Sequence, residues 1–227
     1  MFFDPMYFLI VGPGLLLAIY AQFAVKNAFA EGNKRRASSG LSGAEAAEKI
    51  LESFDLERSV SIEVTHGFLG DHYDPIKKVL RLSPDVFNGR SLSSLGVAAH
   101  EAGHAIQHAQ GYALLKLRNA VVPLASIGSN LSYLIIFLGF IMSSAGLIYT
   151  GVLLFSLVVL FQIINLPVEF DASRRAREIL TSRGYINQSE DEIVGKVLNA
   201  AALTYVAATI SSILTLAYYL MLARDRN

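Results

Sequence analysis

The chain has 227 residues, no cysteine, 53% hydrophobic residues and a formal net charge of zero, with a mean hydropathy of +0.44. This composition is typical of a protein embedded in lipid and gives no support to a nucleic-acid partner. Because there is no cysteine, disulfides and thiolate metal ligands are excluded, and any metal site must be built from His, Asp or Glu.

The first apolar stretch covers about residues 7–25. The tripeptide AFA at 28–30 resembles the cleavage site of a secretory signal. However, the stretch is long, it is preceded by Asp4 rather than by a basic residue, and the basic run KRR follows at 34–36. We therefore predict that this stretch is an uncleaved membrane anchor.

A water-facing segment follows over about residues 26–118, and we predict that it forms a small α+β subdomain. Ser42 followed by Glu45 is a capping-box pattern, which predicts a helix that reaches about Phe54. The runs SVSIEV and KKVLRLS predict a two-stranded sheet with a long connection over residues 65–76. We expect the second of these strands to accept an extended substrate by edge pairing.

The next predicted helix begins at Ser91 and ends near Gly111, and it contains the pentamer HEAGH, an HExxH motif. His100 and His104 lie one helical turn apart, so their ring nitrogens can reach the same ion. Glu101 lies beside them, within reach of a water on that ion. The alternative interpretation is a core helix with two hydrogen-bonded histidines.

No charged residue occurs between Arg118 and Glu169, a run of 50 positions. Since one membrane crossing takes about 20 apolar residues, this run predicts two spans, over about 121–142 and 147–166, with a turn near 143–150. A hairpin returns the chain to the face that it left. Glu169 should therefore lie on the same side of the membrane as the histidine helix.

The distribution of basic residues predicts the orientation. A fourth span covers about residues 199–222, and 17 of the 19 Lys and Arg residues lie in the segments 26–118 and 169–198. By the positive-inside rule these two segments face the cytoplasm. The predicted fold is mainly α and polytopic, a single membrane-embedded domain over residues 1–227 with a small cytoplasmic α+β subdomain that carries the HExxH helix.

A catalytic zinc site uses three protein ligands, so the two histidines need a third. We predict Glu169, because it is the first charged residue after the hairpin and opens a helix, EFDASRRAREILTSRG, that ends at Gly184. Glu169 shares a face of small residues with Ala172 and Ser173, which can approach the histidine helix. Asp171 is the nearest substitute, and the alternative is that Glu169 only marks the membrane boundary.

Two further histidines are weaker candidates. His72 lies in the connection before the second strand, where it can act as an oxyanion donor or simply belong to a turn. His108 lies eight residues after His100, on nearly the same helix face. There it can donate a hydrogen bond to a residue that holds the ion, or it can lie partly exposed at the helix end.

Three segments carry a resemblance to a known family: DHYDPIKKVLRLSPDVFNGRSLSSLGV, AAHEAGHAIQHAQGY and LPVEFDASRRA. In this order they resemble the YugP-type family of neutral zinc metallopeptidases, which are predicted membrane proteases of bacteria. The resemblance covers nearly the whole chain. More distantly, the plan is similar to that of HtpX and the CAAX prenyl proteases, in which a membrane hairpin also separates HExxH from a glutamate ligand.

The resemblance implies a gluzincin-like zinc endopeptidase in the bacterial plasma membrane, with its active site on the cytoplasmic side. It assigns His100, His104 and Glu169 to Zn²⁺ and makes Glu101 the general base in the hydrolysis of a protein or peptide substrate from the bilayer or near it. The distant relatives carry an aspartate four residues after the glutamate, where this chain has Ser173, so the groups that support the two imidazoles stay open.

A second class of function stays in competition with the protease. It is a non-hydrolytic zinc-binding membrane scaffold or metal carrier, which would have no need of the Glu101 carboxylate. A homo-oligomer or a regulatory membrane partner also stays open.

Overall fold

The computed structural model of the chain describes residues 5–65 and 70–224, so residues 66–69 of the predicted connection lie outside the described residues. The helices are α1 (Pro5–Asn33), α2 (Gly43–Glu52), α3 (Pro84–Phe87), α4 (Leu92–Ala109), α5 (Ala113–Ile141), α6 (Ala145–Ser182) and α7 (Gln188–Arg224). The strands are β1 (Ser61–Val64), β2 (His72–Asp74) and β3 (Val79–Leu82).

Within the described ranges, four helices are long and apolar enough to cross a membrane, namely α1, α5, α6 and α7. The other elements are shorter helices and one small sheet. The predicted fold class, a mainly α polytopic membrane protein with a small α+β part, is therefore confirmed. The helix α6 runs on through Pro167 to Ser182, so the third span and the helix that carries Glu169 are one element.

The turn between α5 and α6 is shorter than the predicted turn near residues 143–150. It occupies residues 142–144, and α6 begins at Ala145. Ser143 adopts the left-handed region with φ of +50°, which reverses the chain within three residues. Gly146 and Thr150, which lie in the predicted turn, instead belong to the first turns of α6.

The chain forms two compact units, and each unit is made of segments that are not contiguous in the sequence. Unit 1 takes in the described residues of Met1–Gln22, Ala113–Pro167 and Leu203–Asn227. Unit 2 takes in the described residues of Phe23–Tyr112 and Val168–Ala202. All of the candidate site residues belong to unit 2.

Unit 1 brings α5 and α6 together at small residues. A Cβ added to Gly128 would lie 2.6 Å from the backbone oxygen of Leu154. One added to Gly151 would lie 2.5 Å from a side-chain carbon of Ile136. Glycine at these two positions therefore permits the close approach that is common between membrane helices.

The apolar core of unit 2 surrounds α4 and takes side chains from α2, β3, α6 and α7. Burying one large aliphatic side chain contributes about 1.5–3 kcal/mol to stability. The predicted start of α2 is confirmed, because Ser42 and Glu45 form a reciprocal capping box. The most deeply buried large apolar side chains of this core are Ile50, Leu51, Leu80, Leu82, Val86, Leu92, Leu95, Ile106 and Leu180.

The sheet of unit 2 has three strands, not the two predicted. β1 pairs in parallel with β3, and β2 pairs with the other side of β3 in the antiparallel sense. β3 is therefore the middle strand. The prediction that this strand accepts an extended substrate at its edge is wrong, because both of its edges are already paired.

Candidate metal centre

The helix α4 has caps at both ends that agree with the predicted limits. Ser91 is the N-cap, and its hydroxyl accepts a hydrogen bond of 3.0 Å from the backbone N–H of Ser94. Gly111 follows the C-terminal end with φ of +67°, a conformation that glycine adopts without strain. Between these caps the helical repeat places His100 and His104 on one face.

Within unit 2, α6 approaches α4 closely at Gly103. A Cβ at this position would lie 2.9 Å from the backbone oxygen of Ala172. Ala172 and Ala176 are fully buried, which confirms the predicted face of small residues. Because the two backbones are this close, Glu169, one turn before Ala172, can reach the histidine pair with its short side chain.

Three side chains converge where the two helices meet. Glu169 Oε2 lies 3.4 Å from His100 Nε2 and 3.7 Å from His104 Nε2. The three ligand atoms of these residues all lie within 4.8 Å of one another. Glu169 is only 3% exposed and His104 only 7%. Two predicted ligands on α4 and one on α6 are thus brought to one buried point.

The Glu169 carboxylate changes the electrostatics of His104. Burial by itself lowers the pKa of His104, but the hydrogen bond and the charge of Glu169 outweigh it and raise that pKa above its ordinary value. The buried group therefore favours a positive charge at this point, which either a proton or a metal ion can supply.

The three residues fit a zinc ion by distance and by chemistry. Zinc bonds of about 2.0–2.1 Å in a tetrahedron place neighbouring ligand atoms roughly 3.4 Å apart. The two nitrogen-to-oxygen distances, 3.4 and 3.7 Å, are close to this spacing. Two imidazoles and one carboxylate without sulfur form one of the donor sets of catalytic zinc sites.

Glu101 lies beside this group without belonging to it among the residues that the structure describes. It is 9% exposed, and its Oε2 accepts a hydrogen bond of 3.0 Å from the backbone N–H of Tyr73 on β2. The sheet thus holds one oxygen of the Glu101 carboxylate. This contact could not be read from the sequence, because a strand as short as β2 has no detectable alternation.

The outer ring nitrogens of the two histidines have different partners. His100 Nδ1 lies 3.1 Å from Ser173 Oγ, so the residue that departs from the distant relatives does contact an imidazole. His104 Nδ1 lies 3.0 Å from Gln107 Oε1. Sequence reasoning missed Gln107, although it was a visible signal: outside the motif histidines and glutamate, it is the one polar residue in the run AAHEAGHAIQ.

The structure separates the two acids that are candidates for the third ligand. Glu169 faces the histidines, whereas Asp171 is not a member of the group. Asp171 instead accepts hydrogen bonds from Gln107, Arg174 and Arg175. Helix geometry explains the difference, because residues two apart point to different sides of a helix.

The structure does not bring His72 or His108 into the group. The ring of His72 lies 2.7 Å from the backbone oxygen of Gly70 and 3.3 Å from Arg81 Nη1. The Nδ1 atom of His108 lies 2.9 Å from the hydroxyl of Tyr73, so this histidine links α4 to β2. The oxyanion role of His72 and the supporting role of His108 stay predictions.

The fold and the site together define a class: a polytopic membrane protein whose HExxH helix meets a buried glutamate from a later helix. Comparison with known proteins agrees with this class. A family model described as "Putative neutral zinc metallopeptidase" matches residues 7–224. The chain therefore belongs to this family of neutral zinc metallopeptidases, which confirms the resemblance.

A curated relative extends the comparison. The chain is 46% identical, over 214 residues, to the protein of Bacillus subtilis (strain 168) named "Putative membrane protease YugP". The matched region covers 93% of this chain and 95% of that relative. No solved structure matches the chain.

Proposed function

We propose that this protein is a membrane-embedded zinc endopeptidase that hydrolyses peptide bonds of proteins in the bilayer or next to it. The observation that carries the proposal is the convergence of His100, His104 and Glu169 in a buried group with Glu101 beside it. Membership in a zinc metallopeptidase family and the similarity to a protein named as a membrane protease support it.

In this proposal His100, His104 and Glu169 would hold the ion. Zinc bound there would lower the pKa of a bound water to about 7 and would polarise the carbonyl of the substrate. Glu101 takes the proton of the attacking water and passes it to the leaving amine. Because Oε2 of Glu101 already accepts a hydrogen bond from the N–H of Tyr73, we assign the uptake of the water's proton to the other oxygen, Oε1. The mechanism needs no covalent intermediate.

Removal of the metal tests the proposal. We expect the purified protein to contain one zinc per chain and to cleave fluorescently labelled casein. A chelator should abolish cleavage, and one equivalent of zinc should restore it. In the proposed mechanism the metal ion is the Lewis acid, and no side chain of the site can replace it. Metal content by mass spectrometry and release of labelled peptides are the two measurements. Chelator saturated with zinc beforehand is the control, and undiminished cleavage by metal-free protein would refute the proposal.

We also propose that the chain acts as one domain in the bacterial plasma membrane, with its two polar segments and the active site on the cytoplasmic side. The concentration of 17 of the 19 Lys and Arg residues in the segments 26–118 and 169–198 supports this orientation. The family match over residues 7–224 supports treating the chain as one domain.

The absence of cysteine makes the orientation easy to test, because each introduced cysteine is then the sole thiol. Met142 lies in the exposed turn after α5, and Lys77 is exposed between β2 and β3. In bacterial spheroplasts we expect Met142→Cys to react with a membrane-impermeant maleimide and Lys77→Cys to react only after lysis. Arg183→Cys is the control and should behave like Lys77→Cys. The opposite labelling pattern would show the inverted orientation.

A further inference from the structure

Gln107 belongs to α4, its side chain reaches α6, and it is completely buried, with 0% of its surface exposed. Its Oε1 lies 3.0 Å from His104 Nδ1. Its Nε2 donates two hydrogen bonds of 2.9 Å, one to the backbone oxygen of Val168 and one to Oδ2 of Asp171. Both hydrogens of the amide are thus in use. A fully satisfied buried polar group of this kind holds its neighbours in a defined arrangement.

The side-chain amide of Gln107 has only one orientation that satisfies these contacts. The carbonyl of Val168 can only accept a hydrogen bond, and the carboxylate of Asp171, which is paired with Arg174 and Arg175, can also only accept. The NH₂ group must therefore face these two acceptors. The usual ambiguity between the nitrogen and the oxygen of an amide does not arise here.

The orientation of the amide determines which nitrogen of His104 carries the proton. Oε1 of Gln107 can only accept, so Nδ1 of His104 must donate to it. In a neutral imidazole with the proton on Nδ1, the lone pair lies on Nε2. Nε2 is the atom that lies 3.7 Å from Oε2 of Glu169. The lone pair therefore points into the candidate metal centre.

His100 lacks a partner of this kind. Its Nδ1 lies 3.1 Å from the hydroxyl of Ser173, and a hydroxyl can either donate or accept. Ser173 is thus compatible with both tautomers of His100. The two imidazoles of the group are supported unequally, and His104 is the one whose tautomer the protein dictates.

We propose that Gln107 is a positioning residue, which keeps His104 in the tautomer that can bind zinc, and that Asp171 acts on His104 through Gln107. This inference rests on the proposed function, because it assumes that His104 is a ligand. Carboxylates often orient metal-binding histidines by direct contact. In this protein an amide stands between the carboxylate and the imidazole. Asp171 thus has a role in the site without being a ligand.

The zinc affinity of Gln107→Leu tests the proposal. Loss of an outer partner of a metal-binding histidine costs about 10–100-fold in metal affinity, and we expect a loss in this range. Gln110→Leu is the matched control, because Oε1 of Gln110 accepts a hydrogen bond of 2.6 Å from Arg175 and therefore also links the end of α4 to α6. No imidazole takes part in that contact, so zinc affinity should be unchanged.

Affinity should be measured by competition with a chromophoric zinc chelator on the purified full chain, and the melting temperature of the metal-free proteins should be recorded beside it. The visible spectrum of the cobalt-substituted proteins gives a second readout, since it responds to the ligand geometry and not to general loosening of the fold. We expect Gln107→Leu to alter this spectrum and Gln110→Leu to preserve it.

A second pair of variants keeps the test decisive where Gln107→Leu does not fold. Asp171→Asn removes the obligate acceptor, so it should weaken zinc binding, whereas Glu178→Gln also removes a partner of Arg174 and should not. Zinc affinity equal to wild type in Gln107→Leu, or in Asp171→Asn, would overturn the inference. A wild-type protein that binds no zinc would instead overturn the proposed function, so the two failures are distinguishable.

Discussion

Replacement of Glu101 by glutamine should abolish peptide cleavage and leave zinc in place. Glutamine has nearly the shape of glutamate, and its side-chain oxygen can still accept the hydrogen bond from the N–H of Tyr73. It cannot take a proton from the attacking water. Positioned general acid–base groups contribute about 10²–10⁴-fold to a rate, so we expect kcat on labelled casein to fall by at least this factor. Zinc content by mass spectrometry should stay at the wild-type value.

The same variant separates the two classes of function that the sequence leaves open. Glu48→Gln on α2 makes the same chemical change at an exposed position away from the candidate metal centre, so it is the matched control. A protease loses activity in Glu101→Gln only. If both variants cleave as wild type does, Glu101 is not the base. If the wild type binds zinc tightly but cleaves nothing, the non-hydrolytic scaffold or metal carrier becomes the better interpretation.

Removal of the Glu169 carboxylate should have the largest effect on the metal. We expect Glu169→Ala to lose stoichiometric zinc, because it removes one of the three proposed ligands and the charge that makes this buried point attractive to a cation. The loss of affinity should exceed the roughly 10–100-fold that loss of an outer partner costs. Zinc that stays bound after gel filtration, together with titration of metal-free protein, measures the effect.

The control for Glu169→Ala is Glu178→Ala on the same helix. Glu178 has an exposed side chain that is paired with Arg174, and it lies outside the group of three. Its loss should leave zinc binding intact. Full zinc occupancy in Glu169→Ala would mean that another acid, with Asp171 the first to examine, completes the site.

Much of the fold was predictable because it depends on local patterns. The four apolar stretches are long enough to predict the spans, and the caps at Ser42 and Ser91 predict the starts of α2 and α4. The errors lie where neighbouring segments decide the outcome. β2 has three residues, too few to show alternation, and it exists because it pairs with β3. Its presence turned the predicted edge strand into a middle strand.

The candidate site likewise has parts that local patterns predict and parts that only the tertiary structure decides. HEAGH in a capped helix predicts that His100 and His104 share a face, since that follows from the helical repeat alone. The sequence also pointed to Glu169, because an uncharged hairpin must return the chain to the face that it left. It could not choose between Glu169 and Asp171 by chemistry, because both are carboxylates.

The amino-acid sequence by itself determined the four spans, the starts of α2 and α4 and the pairing of two histidines one turn apart, since each depends on residues close together in the chain. Only the tertiary structure decided which acid reaches the histidines, which backbone N–H holds Glu101 and which side chain orients His104. These depend on how closely α6 approaches α4 at Gly103 and on the rotation of each helix about its axis. Packing between segments far apart in the chain sets both, and no local pattern records it.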